Sequence, residues 1–310
     1  MPLRSALLKP NTPLRHLFTF VFCASVLVVT GCGKQSSDET DQTQVAAYLL
    51  RAQDYRKQGQ YRAAIIEARN AIELSPADAT GKLVLATLLT DLGQGKQAMK
   101  VLDTVGAADS NDAKFALAKA DAFILQGKFR SALKVLESTN AGSDIEIQYR
   151  LAQATAGLGH TEDAKKIFSA LLDSPRATFA KLQLASIEQQ LGNADAANAL
   201  LQQVLKQQPD NIDALITTAK LAESSGDLAR AEEALTSALI KLPQTDILLP
   251  QKITVLQNLM TILTKQGRSA ESLIYAKVLS DTNPEGVALQ NKFKEGVDAF
   301  REGKLDTAEK

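Results

Sequence analysis

The chain has 310 residues, of which 45% are apolar and 23% charged, enough to bury a large core. Lys plus Arg balance Asp plus Glu at 35 each, and 10 Phe, 5 Tyr and no Trp give neither a polyanion-seeking field nor a stacking platform. Nucleic acid is therefore excluded as a first expectation. The only cysteines, Cys23 and Cys32, fall in the first 32 residues, so disulfides, a thiol nucleophile and thiolate-held zinc are excluded from everything that follows.

Residues 1–16 carry Arg4, Lys9, Arg15 and His16 with no acid, and residues 17–29 are continuously apolar or small. That is the layout of a signal peptide. The apolar run of 13 residues is shorter than a bilayer-spanning helix requires, about 20. Val29, Thr30 and Gly31 before Cys32 resemble the bacterial lipobox, in which the cysteine is lipidated and cleavage falls on its N-terminal side. The resemblance implies a signal peptide over 1–31, a membrane anchor at Cys32 and a place in the bacterial cell envelope. By likeness to Gram-negative lipoproteins, Gly33 points to the periplasmic face of the outer membrane. Cys23 reads as one more apolar residue of the discarded signal. Several acyl chains at Cys32, each buried CH2 contributing ~0.8 kcal/mol, give a stable anchor where one chain is marginal. Cleavage removes three basic residues, leaving 35 − 3 = 32 against 35 acidic ones. The lipidated cysteine and residues 33–44, polar and without apolar periodicity, are expected to form a flexible tether over 32–44.

From Val45 to Lys310 the chain is periodic. Glycines stand at 59, 93, 127, 159, 192, 226, 267 and 303, at spacings of 34, 34, 32, 33, 34, 41 and 36 residues. Five residues after each glycine come Ala64, Ala98, Ala132, Ala164, Ala197, Ala231, Ser272 and Ala308; seven before come Ala52, Ala86, Ala120, Ala152, Ala185, Ala219, Met260 and Gly296. Small residues let two antiparallel helices approach, and a left-handed glycine between them reverses the chain. Helices are expected near Asp213–Ser225 and Leu228–Lys241 in the sixth unit. The second helices of units two and three, which lack a closing proline, should be shorter. Seven extra residues between units six and seven, including Pro243 and Pro250, predict a longer loop or a break.

A period near 34 with Tyr48, Ala52, Tyr55, Ala64, Ala68, Ala71 and Pro76 in the first unit resembles the tetratricopeptide repeat. The resemblance implies an all-α solenoid, a right-handed superhelix of about seven and a half repeats over 45–310. Gly296, Gly303, Leu305 and Ala308 open an eighth repeat, and the array is expected to continue in a longer protein.

The one histidine of the body, His160, falls in a turn and reads as an exposed turn residue; no catalytic, phosphate-cradling or metal motif accompanies it, so no catalytic residue, metal or cofactor is expected. Function must come from surface, and the partners expected are proteins or peptides, with no nucleic acid and no metal. In the repeat family, certain positions of each first helix line the concave groove. Carried over by register, they are Leu49, Gln53 and Arg56; Leu83 and Thr87; Leu117, Asp121 and Ile124; Tyr149 and Gln153; Leu182 and Ser186; and Ile216, Lys220 and Glu223. The recurring Leu, Tyr or Ile at the fifth position is either an apolar stripe for a partner segment or packing between repeats. Leu49 and Gln53 stand where some such domains place a carboxylate clamp of Lys and Asn, which disfavours a receptor for chain termini.

The Gly-Cys-Gly start, the polar tether and the first repeat, YRKQGQYRAAIIEARNAI, are similar to the tetratricopeptide lipoproteins of exosortase and exopolysaccharide systems. That likeness implies an anchored scaffold in protein sorting or assembly. Two alternatives stay open: the interaction array of a longer enzyme such as a glycosyltransferase, and a coordinator of pilus, outer-membrane or cell-wall assembly.

Overall fold

Each pair of helices is joined by one repeated device. Gly59, Gly93, Gly127, Gly159, Gly192, Gly226 and Gly267 all have φ between +68° and +82°. The residue after each glycine donates its N–H to the carbonyl five residues back, as in Gln60 to Tyr55 and Gln94 to Leu89, both 2.8 Å. This left-handed cap satisfies the last carbonyls of one helix and starts the next two residues later.

The computed structural model describes residues 35–106, 112–139 and 143–282, with side chains from residue 41. The signal peptide, the lipobox residues Val29, Thr30 and Gly31, Cys32, and the eighth repeat at Gly296, Gly303, Leu305 and Ala308 lie outside them. Within the unit Thr40–Lys310 the described residues form seven helix pairs and no strand. The pairs are α1 (Gln35–Lys57) with α2 (Tyr61–Leu74), α3 (Ala79–Asp91) with α4 (Gly95–Leu102), and α5 (Ala113–Leu125) with α6 (Phe129–Glu137). They continue as α7 (Ile145–Gly157) with α8 (Thr161–Ala170), α9 (Ala177–Gln190) with α10 (Ala194–Gln207), α11 (Ile212–Ser224) with α12 (Leu228–Lys241), and α13 (Pro250–Lys265) with α14 (Ser269–Thr282). Of the unit Met1–Glu39, only the start of α1 is described.

The small-residue columns sit where the paired helices meet. Ala64, Ala98, Ala132, Ala164, Ala197 and Ala231 are 0% exposed, and Ala52, Ala86, Ala120, Ala152, Ala185 and Ala219 no more than 2%. Ser272 takes the alanine place in the seventh pair, buried, with its hydroxyl bonded to the Met260 carbonyl at 3.3 Å. Larger side chains fill the layers between pairs, among them Leu88, Leu102, Leu136, Phe168, Leu201 and Leu235.

Helix starts divide by type. Several first helices are capped by their own Asx residue: Asp78, Asp112, Asp144 and Asn211 each accept an N–H from two or three residues on. Among the second helices, α4, α6, α8 and α10 begin directly after the glycine turn without such a cap.

The sixth pair lies within a residue of its expected bounds, and α4 and α6 are short at 8 and 9 residues against 14 for α2, α10 and α12. α8 also stops early, at 10 residues, because Pro175 disfavours continuing the helix through Ser174. The tether is a correction. Residues 35–44 are helical as part of the 23-residue α1, so no flexible tether runs from 35 to 44. No Gly or Pro interrupts this stretch, and once Val45 and Leu49 pack against Ala71, extending the helix outward costs little, whatever the polarity of the added residues.

Because Ala231 has no exposed surface and faces the first helix of its pair, Ala231→Leu should destabilise the array by ~1–3 kcal/mol through overpacking. A thermal melt unchanged by the substitution would contradict the register.

A candidate binding groove along the first helices

The first helices of successive pairs lie side by side, so positions one repeat apart meet across the boundary between pairs. Ion pairs form there. Arg56 on α1 holds Asp91 on α3 through Nε and Nη2, at 2.5 and 2.9 Å. Asp121 on α5 holds Arg150 on α7, and Glu146 on α7 holds Arg176 just before α9. Glu223 on α11 accepts from Lys265 on α13 at 2.6 Å. The hydrogen bonds to Asp91 and Glu146 raise the pKa of Arg56 and Arg176.

Tyr149 stands at the middle of this ladder. Its ring meets Phe168 and Phe179 edge-on at centroid distances of 5.7 and 6.1 Å. The guanidinium carbons of Arg150 and Arg176 lie 5.1 and 5.4 Å from its centroid, and Arg176 also lies 4.7 Å from that of Phe179. Its hydroxyl accepts from Gln153 at 3.3 Å. Burial pushes the Tyr149 phenol above its ordinary pKa, and the positive charge of Arg150 only partly opposes this. Phe179, by contrast, is 40% exposed, an aromatic face turned to solvent beside the buried tyrosine.

Three clefts follow one another along this face. The first is lined by Gln53, Arg56, Leu83 and Thr87 with Tyr61 and Leu88. The second, of about 620 Å3, takes in Arg56, Thr87, Asp121, Ile124, Tyr149 and Gln153, with Asp91, Arg150, Arg176, Phe179, Gln183 and Asp213. The third holds Tyr149, Leu182, Ser186, Ile216 and Lys220, with Thr217, Pro250, Gln251 and Thr254.

The residues carried over by register are thus largely brought together, while Leu49, Leu117 and Glu223 line none of these clefts. Of the two readings of the fifth positions, packing between repeats accounts for most of them. Leu49, Tyr149, Leu182 and Ile216 are between 4% and 9% exposed and belong to the cores between pairs, as does the half-buried Leu117. Leu83, Tyr149, Leu182 and Ile216 still reach the clefts by an edge, beside the polar ninth positions Gln53, Thr87, Asp121, Gln153, Ser186 and Lys220. Phe179 and Asp213 at second positions and Asp91 at a thirteenth were available to the same register rule and were not picked out. Arg150, Gln183 and Arg176 fall outside that rule. For Arg150 and Arg176 the signal is charge complementarity with Asp121 and Glu146, about one repeat away; Gln183 carries no such signal.

Paired helices joined by glycine turns, stacked so that their first helices line a cleft, define a tetratricopeptide-repeat solenoid. The tetratricopeptide repeat family model matches residues 55–122 and 189–249. Among solved structures, the chain is similar to a subunit of the APC/C Cut9–Hcn1 hetero-tetramer, at 15% identity and a TM-score of 0.58. That match covers 88% of this chain and 53% of the other, so the chain spans about half the length of that relative. It is also similar to a tetratricopeptide repeat protein from Parabacteroides merdae, at 14% identity and a TM-score of 0.56, covering 86% and 100% of the two chains. A third likeness is to PilF of Pseudomonas aeruginosa, at 16% identity and a TM-score of 0.50, covering 73% and 99%. No curated protein matches the chain by sequence.

In an alkaline titration followed at the phenolate absorbance, Tyr149 should ionise above the ~10 of a free tyrosine, and Tyr149→Phe should delete that late component. The fold favours the neutral phenol, so its contribution to stability is full below pH ~10 and is lost as pH rises through the elevated folded pKa. A titration curve indifferent to the substitution would contradict the burial of this ring.

Proposed function

We propose that this chain is a non-catalytic scaffold of the bacterial envelope, lipid-anchored at Cys32, that holds an extended polypeptide along the groove of its first helices. The observation that carries this reading is the succession of clefts from Gln53 to Thr254, apolar beside polar in the first and more polar in the other two, with the solvent-facing ring of Phe179 among them. An extended segment offers backbone amides and alternating side chains to such a surface. The ion pairs across the repeat boundaries already neutralise one another, so the groove selects by hydrogen bonding and aromatic contact more than by net charge.

The tetratricopeptide fold supports a binding role, and the resemblance of Val29–Cys32 to a lipobox supports the anchor. The likeness of the Gly-Cys-Gly start, the polar segment after it and the first repeat to exosortase-linked lipoproteins favours a partner in polysaccharide-linked sorting or assembly at the outer membrane. Among the described residues no helix is long and apolar enough to cross a membrane.

The test is crosslinking and pull-down from membranes with the full lipidated chain, a Cys32→Ser form, and a Phe179→Ala/Gln183→Ala form. Cys32→Ser should leave the protein folded but unlipidated; acylation and membrane fractionation that do not change would rule out the anchor. The groove form should stay on the membrane and lose its crosslinked partners by ~10-fold or more, the scale of one well-placed aromatic contact. Recovery of the same partners in equal yield would remove the groove as the binding surface.

A further inference from the structure

Two of the seven glycine turns are covered, by the segment that departs from the repeat. A Cβ added at Gly127, Gly159, Gly192, Gly226 or Gly267 would meet nothing within 4 Å. One at Gly59 would lie 2.3 Å from the carbonyl oxygen of Gln244 and 3.1 Å from Thr245, and one at Gly93 would lie 3.0 Å from Pro250. The eight residues between α12 and α13, Leu242 to Leu249, therefore reach back to the first and second pairs. Those contacts are specific. Asp246 donates its N–H to the Gly59 carbonyl at 3.0 Å, and its carboxylate accepts from the N–H groups of Tyr61 and Arg62 at 2.7 and 3.0 Å.

The carboxylate does for α2 what an N-cap residue does for a helix, from 184 or more positions along the chain. Gln60, the residue at the cap position itself, makes no side-chain bond to the helix. Ile247 and Leu249 pack beside this anchor, half-buried against the core of the first two pairs. Thr245 stiffens the segment by donating its hydroxyl to the Ile247 carbonyl at 2.7 Å.

We propose that residues 243–249 are a latch, a self-bound peptide whose aspartate seats on the start of α2 and closes the array on itself between its first and sixth repeats. Closed, it fixes the width of the groove; released, it lets the first two pairs swing away from the sixth. The latch stands independently of any partner or membrane anchor. The insertion exists to span this gap: the connections after α2 and α10 need only four residues each, at 75–78 and 208–211.

The test is amide hydrogen exchange and small-angle scattering on the full chain, comparing the parent protein with Asp246→Ala and Asp246→Asn. Asp246→Ala should speed exchange at Tyr61 and Arg62 by ~10-fold or more and enlarge the radius of gyration, while protection within α11 and α12 holds. Asp246→Asn keeps one acceptor oxygen and should restore most of the protection at Tyr61. Unchanged exchange at Tyr61 and Arg62 in Asp246→Ala overturns the latch, and faster exchange without expansion overturns its closing role. If Asp246→Ala loosens the whole array, Asp246→Asn decides: near-parental exchange and size uphold the latch, and failure to recover them overturns it.

Discussion

Everything here depends on how closely two antiparallel helices can approach. With alanine at both facing positions, the backbones of a pair come together with no exposed surface left between them. Such an approach requires the chain to reverse within two residues, which the left-handed glycine permits because it lacks the Cβ that would clash there. Alanine and glycine are therefore two halves of one constraint. Repeated in six described pairs, with Met260 and Ser272 in the alanine places of the seventh, that constraint sets the thickness of the layers and, through it, which side chains of neighbouring first helices fall within bonding distance.

The ladder of Arg56–Asp91, Asp121–Arg150, Glu146–Arg176 and Glu223–Lys265 is a consequence of that spacing. Partners 29 to 42 residues apart meet because one repeat carries the chain from a first helix to the next. These pairs are partly exposed, so each contributes modestly to stability, and their larger effect is to orient arginines over the rings of Tyr149 and Phe179. The groove is consequently rigid at its centre, where Tyr149 is held from several sides, and chemically mixed along its length.

Much of this was legible in the chain. The glycine and alanine registers located the helix pairs and their turns, because backbone geometry at those places admits few other residues. The groove was legible in register but only partly in role: Leu182 and Ile216 reach the third cleft by an edge while most of each side chain is buried against a neighbouring pair, since an apolar side chain there gains most by leaving water. Residues 35–44 were misread because composition describes a segment alone, whereas their helix is continued from packing that begins at Val45. The seven extra residues signalled an irregularity without a destination. Nothing local to Asp246 indicates that its partners are the amides of Tyr61 and Arg62, and only the curl of the whole array brings them together.

That long-range contact changes what kind of polymer the array is. Stacked repeats ordinarily behave as a one-dimensional chain in which each unit feels only its neighbours, so they fray from the ends and tolerate partial unfolding. A bond between residues 59 and 246 adds a term that no nearest-neighbour description contains. Its formation must wait for the intervening repeats to order, which raises contact order and slows the last step of folding. Once made, it ties the first repeat to the segment after the sixth, and a closed array of this kind is expected to melt with more cooperativity than an open stack of the same repeats.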